Sequence, residues 1–211
     1  MRIRDIDPNN EKDVETITRL HMELLDWGPM AQMGKLFLKK FCYTVLLKDN
    51  LMKAALYEVD GKPAGFIAYT DKSITFHRFA IRNHLGYVIY LVILSIIRYP
   101  WVVLRLPKVI YLMLSRRGEK NLGEDPQAEV LAIGVLQEYR SPVFILKTGL
   151  RISEQLIGHV ISFFRSMGLK KVRLIVDADN TPALMFYHNL GGRFESYEMA
   201  GVPSVLIWFD L

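Results

Sequence analysis

The chain has 211 residues, 51% of them hydrophobic, and a formal net charge of +5. This length and apolar content suit one domain with a sizeable core. The single cysteine, Cys42, excludes a disulfide framework and a metal site built from several cysteines. The polar opening stretch has no secretory signal, so a cytoplasmic location is expected.

The stretch Met1–Thr70 predicts a strand, two helices and a hairpin. Met1–Ile6 alternates apolar and polar side chains, as an edge strand does. An amphipathic helix then runs to Gly28-Pro29, and a second helix follows over about Ala31–Lys48. Asp-Gly between two apolar runs is a strong hairpin signal, and it predicts the strands Met52–Val59 and Ala64–Thr70.

The positive charge is concentrated in one segment. Between Ile74 and Gly118 there is no acidic residue, and seven basic residues give about +7: Arg78, Arg82, Arg98, Arg105, Lys108, Arg116 and Arg117. The remaining chain is slightly acidic, so the sequence does not indicate a nucleic-acid-binding protein.

The same segment contains two apolar runs. The first is Tyr87–Ile97, and the second comprises Trp101–Leu106 and Val109–Leu114. Neither reaches the roughly 18–20 uncharged residues of a membrane-spanning helix. Three interpretations are open: a buried cap on the domain, the wall of an acceptor or acyl-chain pocket, or a helix pair in a membrane interface. Basic and aromatic residues without acids favour the last one, and it predicts peripheral membrane contact through residues 77–117.

The second half of the chain alternates strands and helices. We predict a surface loop at Gly118–Gln127, a central strand at Glu129–Leu136 and a long loop at Gln137–Thr148. The elements predicted after it are a helix Gly149–Met167, a strand Lys171–Asp177, a helix Thr181–Leu190 and the strands Arg193–Met199 and Ser204–Leu211. The pattern indicates a single α/β domain over residues 1–211, with residues 74–127 as a helical insertion.

Three stretches carry a resemblance to a known family. They read EVLAIGVLQEYR followed by TGLRISEQLI, then FFRSMGLKKVRLIVDADN, then NTPALMFYHNLGGRF. Together they resemble the acyl-CoA-binding half of the GNAT N-acetyltransferase superfamily. The resemblance implies a mixed, mostly antiparallel twisted sheet flanked by helices, with the hydrophobic basic insertion between strands 3 and 4.

The resemblance also implies a donor site for acetyl-CoA, without a metal. Parallel strands that separate after Val135 would leave main-chain groups of Ile133, Val135 and Gln137 for the pantetheine arm, and Asn180 would bond the same arm or cap its helix. The pyrophosphate suits the N–H groups that open a helix. The cofactor-binding residues expected there are Thr148, Gly149, Leu150, Arg151, Ile152 and Ser153.

The expected glycine-rich phosphate loop departs from the family pattern. A frame that starts at Arg140 puts the helix about eight residues too early, and one that puts Gly149 at the first glycine position places Glu154 and Gln155 where paired aliphatic residues are expected. In the frame that starts at Thr148, the paired aliphatic residues become Leu156 and Ile157, which fit the apolar stripe. Arg151 and Ser153 then stand where glycines are expected, and Arg151 or Lys147 would contact phosphate directly.

Two catalytic residues follow from the resemblance. Tyr187 lies where the family places a general acid, and a phenol can protonate a leaving thiolate. Glu129 starts the central strand, where one branch of the family has its general base; Glu138 is a weaker alternative, and His159 and His188 read as surface or packing residues. The expected reaction is acetyl transfer from acetyl-CoA to a primary amine of a small molecule or peptide. The alternatives are a longer acyl donor, or a non-catalytic module that docks on membranes.

Overall fold

The computed structural model describes residues 1–72, 76–100, 103–104, 107, 128–199 and 201–211. Within these ranges the strands are β1 Arg2–Asp5, β2 Lys53–Val59, β3 Lys62–Thr70, β4 Ala128–Val135, β5 Lys171–Asp177, β6 Arg193–Met199 and β7 Val202–Asp210. They form one sheet in the order β1-β2-β3-β4-β5-β7-β6. Every neighbouring pair is antiparallel except β4 and β5. The predicted mixed, mostly antiparallel α/β fold is confirmed.

Helices cover both faces of the sheet. They are α1 Glu11–Leu24, α2 Pro29–Gln32, α3 Lys35–Phe37, α4 Phe76–Arg98, α5 Pro142–Thr148, α6 Ile152–Ser166 and α7 Thr181–Asn189. One face packs against α1, α4 and the turns that follow α3. The other face packs against α6 and α7. Apolar side chains of α1, α4, α6 and α7 are buried against the sheet, as a two-sided α/β domain requires, whereas α5 has no buried residue.

The hairpin between β2 and β3 forms as predicted. Asp60 and Gly61 both take a positive φ, of 51° and 74°. This is the backbone of a two-residue turn whose twist matches that of the flanking strands. The turn fixes the register by pairing Val59 with Lys62.

The second helix differs from the prediction of one helix over Ala31–Lys48. Gly34, with a φ of 94°, separates α2 from α3. The chain then continues as a π-helix over Leu38–Leu46. The Thr44 hydroxyl donates to the Lys39 carbonyl five residues earlier, at 2.9 Å. Such a wide turn is rare and is found often at functional sites.

The predicted long loop Gln137–Thr148 is wrong, because a 3-10 helix over Gln137–Arg140 and then α5 occupy it. The Ser141 side chain accepts a hydrogen bond from the Phe144 N–H at 3.2 Å, and Pro142 fills the first helical position. Gly149 ends α5 with a φ of 70°, so the next helix begins at Ile152 instead of Gly149. The Ser-Pro start and the glycine stop are both readable in the sequence.

The segment between β3 and β4 contains α4, whose helical path is interrupted at His84 (φ −125°, ψ 22°). By length and composition alone, the 20 residues Phe79–Arg98 could cross a membrane. The prediction that the apolar runs here are too short to span a membrane was therefore too strict, because it counted only uninterrupted uncharged residues. The surface loop Gly118–Gln127 and, apart from residues 103–104, the second apolar run lie outside the described residues. The interpretation of residues 74–127 as an insertion stays a prediction.

Candidate active site

Strands β4 and β5 pair only at their first residues. Ala128 lies beside Val172 and Glu129 beside Arg173, and the pairing ends there. Beyond this point β4 continues alongside β3, with Leu131 left out of the ladder as a bulge. A bulge bends its strand, so the two parallel strands separate after Glu129. The sequence-based prediction placed this separation after Val135, and that position is wrong.

The gap leaves one edge of β4 without a neighbouring strand beyond Glu129. The Leu136 N–H donates to the Ala64 carbonyl, at 2.9 Å, and so points towards β3. Because the direction of the main-chain groups alternates along a strand, those of Ile133 and Val135 point the other way, into the gap. An extended ligand with amide groups could pair with this edge as an added strand does. Gln137, the third predicted residue, lies past the strand in the 3-10 helix.

The first turn of α6 opens beside the predicted phosphate site. Arg151 is the residue that precedes the helix, and its side chain makes no capping bond. The N–H groups of the first turn have no partner within a helix, since the first internal bond runs from the Gln155 N–H to the Arg151 carbonyl, at 3.1 Å. The predicted helical phase holds, because Leu156 and Ile157 are both buried.

The residues predicted to hold phosphate are not equivalent. Thr148 ends α5, and its hydroxyl accepts a hydrogen bond from the Leu150 N–H at 3.2 Å. Ile152 is buried in the core and offers only its main chain. The Arg151 Nη1 lies 3.0 Å from the Glu154 Oε1, so part of its charge is already balanced by a carboxylate in the same turn.

Helix α7 positions Asn180 and Tyr187. The Asn180 side chain caps the helix by accepting a hydrogen bond from the Ala183 N–H at 3.2 Å. Tyr187 is buried and packs edge-on against Phe186 and Phe209. Burial raises the pKa of Tyr187 well above its ordinary value, so the phenol keeps its proton at neutral pH. The part of the chain that the structure describes gives its hydroxyl no hydrogen-bond partner.

Glu129 lies where β4 and β5 are still paired, which we call the closed end of the gap. Only 2% of its surface is exposed. Its Oε2 accepts hydrogen bonds from the Arg173 Nη2, at 3.0 Å, and from the Arg173 Nε, at 3.2 Å. The base role of Glu129 stays a prediction, and this buried ion pair counts against it because the carboxylate is already engaged. Glu138 lies in the 3-10 helix, outside the closed end.

The other histidines considered in the sequence lie against aromatic rings. The His159 Nε2 is 3.7 Å from the Asp5 Oδ1, and its ring lies edge-on to Tyr69. The His188 ring lies edge-on to Phe194. Among the described residues, no group of three or more His, Cys, Asp or Glu is arranged to hold a metal.

A polar pair that the sequence did not predict lies beside the open end of β4, the part from Ile133 to Val135 that has no neighbour in β5. The His21 Nδ1 is 2.6 Å from the Tyr43 hydroxyl, which joins α1 to the π-helix. The His21 ring stacks on Phe66, the register partner of Gly134 in β4. Burial lowers the pKa of His21 to about 4. No local spacing in the sequence joins the members of this pair, because they come from different helices.

No family model and no curated protein matches the chain, but solved structures do. Ard1 from Thermoplasma volcanium has a TM-score of 0.52 at 17% identity, over 100% of this chain and 97% of that one. NAA60 of Arabidopsis thaliana in complex with acetyl-CoA has a TM-score of 0.54 at 18% identity, over 100% and 98%. The PaiA N-acetyltransferase from Thermoplasma acidophilum in complex with coenzyme A has a TM-score of 0.51 at 15% identity, over 100% of both chains.

These similarities cover the whole of this chain and 97–100% of the three solved chains. At this level of identity they establish the fold. The chain therefore has the fold of the GNAT N-acetyltransferases, and the family resemblance noted in the sequence is confirmed at that level.

Proposed function

We propose that the protein is an acyltransferase that moves an acetyl group from acetyl-CoA to a primary amine. The observation that carries the proposal is the gap between β4 and β5, whose β4 edge presents main-chain groups of Ile133 and Val135. Pantetheine is an extended chain with two amide groups and would pair with that edge. The solved structures with the same fold include complexes with acetyl-CoA and with coenzyme A.

The pyrophosphate of the donor would lie at the first turn of α6. Unpaired N–H groups and the positive end of the helix dipole favour an anion there. Glycines normally let phosphate approach the backbone closely, and this chain has Arg151 and Ser153 at those positions. Arg151 would turn from Glu154 to the phosphate, since a guanidinium binds phosphate oxygens well.

The proposed transfer is a direct attack. The amine nitrogen forms a bond to the thioester carbonyl carbon, the carbon–sulfur bond breaks, and the sulfur leaves as a thiolate. Tyr187 gives its phenolic proton to that sulfur, for which its protonated state at neutral pH suits it. The amine loses a proton to water or to a base, and Glu129 is the predicted candidate for that base.

Donor binding is tested by thermal unfolding with acetyl-CoA, with a longer acyl-CoA and without ligand. Acetyl-CoA should raise the unfolding temperature, because a ligand bound only to the folded state stabilises it. Ser153→Asp should reduce the shift by adding a negative charge to the first turn of α6. Ser166→Asp, at the other end of the same helix, is the control and should keep it. No shift with any acyl-CoA would overturn the proposal and favour the non-catalytic alternative. A shift only with the longer acyl-CoA would show that the protein uses a longer acyl donor instead of acetyl-CoA.

Turnover is tested with Tyr187→Phe, which removes only the hydroxyl of a buried ring. General acid–base catalysis contributes about 10²- to 10⁴-fold, so kcat with an amine acceptor should fall within that range. The shift caused by acetyl-CoA should stay the same, because the hydroxyl is not assigned to donor binding. An unchanged kcat would remove Tyr187 from the mechanism and leave the donor site intact.

A further inference from the structure

Helix α4 has one side fixed to the domain. Ala80, Leu91 and Ser95 are buried on that side. The His84 Nε2 lies 2.5 Å from the Asp49 Oδ2, and the ring of His84 meets Phe41 of the π-helix edge-on. These contacts hold the helix on the α1 face of the sheet from its first turns to its last ones.

The opposite side of α4 is an apolar strip that faces solvent. Its large side chains are between 47% and 72% exposed: Phe79, Ile89, Tyr90, Ile93 and Ile97. After His84, the residues Ile89, Ile93 and Ile97 follow one another at intervals of four residues, with Tyr90 beside them. With a rise of about 1.5 Å per residue, the part after His84 alone is roughly 20 Å long. A continuous exposed apolar surface of this kind marks an interaction site.

The chemistry of the strip and its surroundings identifies the partner. Tyr87 and Tyr90 stack at a ring distance of 6.2 Å on the exposed part of the helix. Arg82 and Arg98 lie near its two ends, and the segment Ile74–Gly118 has seven basic residues and no acidic one. Tyrosine beside apolar and basic side chains is typical of segments at the headgroup level of a bilayer, and clustered basic residues attract anionic lipids.

We propose that the exposed strip of α4 docks on the surface of an anionic lipid bilayer, with the helix lying in the interface. The helix does not span the bilayer, because the contacts of His84, Leu91 and Ser95 keep one side of it on the folded domain. A second copy of the chain fits less well, since a symmetric contact through this strip would bring the positive charges of both copies together. This docking is independent of the acyl-transfer reaction.

The test is flotation of the full chain with two kinds of vesicle, pure phosphatidylcholine and phosphatidylcholine mixed with phosphatidylserine. We expect the protein to float with the mixed vesicles at low salt and to be released at high salt, because screening weakens attraction to the anionic surface. Ile93→Glu should weaken this binding about tenfold or more, since it replaces an inserted apolar side chain with a negative charge.

Met167→Glu is the matched control, because Met167 has a similar exposure, 46% against 51% for Ile93, and lies at the end of α6. It should float as the wild-type chain does. Equal binding of the Ile93→Glu and Met167→Glu variants would overturn the proposal. A lipid-free dimer that only Ile93→Glu dissociates would assign the strip to a second copy, and retention on vesicles at high salt and alkaline pH would indicate a spanning helix. Circular dichroism of each variant excludes unfolding as the cause.

Discussion

The two ends of β4 differ in how the strand is held. At the first end, Glu129 has a neighbour in both β3 and β5, Ala128 has one in β5, and Glu129 forms a buried ion pair with Arg173. At the far end, Ile133 and Val135 have a neighbour only in β3. The bulge at Leu131 lies between them. A single strand is thus paired with β5 at its first two residues and has an open edge beyond them.

This difference explains why the gap can persist in a folded domain. An open strand edge normally invites pairing with another strand, and here β5 is close enough in the sheet to provide it. The two strands are tied at one end, and the bend at Leu131 carries the rest of β4 away. We infer that the closed end fixes the angle between β4 and β5. At the open end, α1 packs beside β4, and the gap stays without a strand in it.

The largest expected effect is at the closed end. Arg173→Met removes one partner of a buried ion pair and leaves the Glu129 carboxylate without its guanidinium. Breaking such a pair typically costs about 3–5 kcal/mol, and the free energy of unfolding should fall by that amount. Urea unfolding at neutral pH measures it.

Two further variants sharpen that result. Arg19→Met breaks an exposed pair, in which the Arg19 Nη1 lies 3.2 Å from the Glu23 Oε2, and its cost should be about 0.5 kcal/mol or less. The double variant Glu129→Gln with Arg173→Met should recover part of the loss, because the buried charge is gone. If Arg173→Met costs no more than Arg19→Met, the ion pair does not hold the closed end together.

The next effect concerns the open end, where His21 stacks on Phe66. Burial lowers the pKa of His21 to about 4, against an ordinary value of about 6.5. Between these values the unfolded chain binds a proton that the folded chain does not. The stability that depends on neutral His21 is therefore fully present above about pH 6.5. It falls as the pH decreases and levels off below about pH 4. Between pH 7 and pH 5 the contribution of His21 should fall by about 2 kcal/mol.

Urea unfolding at both pH values measures this difference. His21→Asn should remove most of it, whereas Tyr43→Phe should keep it, because burial and not the hydrogen bond lowers the pKa. Arg4 lowers the pKa values of Asp13 and Glu58, and because both carboxyls are present in wild type and in His21→Asn, their contribution cancels in the comparison. An equal pH dependence in wild type and His21→Asn would show that the imidazole is not buried beside the open end.

The sequence predicted those parts of the fold that local patterns determine. The hairpin follows from Asp60-Gly61, and the phase of α6 follows from Leu156 and Ile157. The helix α5 was missed although Ser141-Pro142 and Gly149 mark its two ends, because the family pattern suggested a loop. The bulge at Leu131 has no local signal, since it arises from the register of β3 against β4.

The candidate site was predictable only where it depends on the main chain. A strand followed by a helix pointed to β4 and α6, which are in contact in the structure, although the helix begins at Ile152 and not at the predicted Gly149. The pairing of Glu129 with Arg173 was not predictable, because it joins strands 44 residues apart. The same holds for His21 and Tyr43, whose contact depends on how the π-helix turns towards α1.

The smallest expected effect tests whether α1 closes one side of the open end. A Cβ at Gly134 would lie 2.9 Å from the Leu24 Cδ1, 3.2 Å from the Leu24 Cβ and 3.0 Å from the Phe66 Cε1. The Leu24 Cδ1 can rotate away, but the Leu24 Cβ moves only with the end of α1. Gly134→Ala should therefore lower the free energy of unfolding by about 1–2 kcal/mol, as measured by urea unfolding.

Gly158→Ala is the matched control for this substitution. Gly158 lies inside α6, and a Cβ there would meet nothing within 4 Å. Alanine is the better helix former, so this variant should gain about 0.5–1 kcal/mol. The two substitutions add the same methyl group and are expected to change stability in opposite directions. If both stabilise the protein, α1 does not press on the open end, and the gap is kept free by the course of β4 and β5 alone.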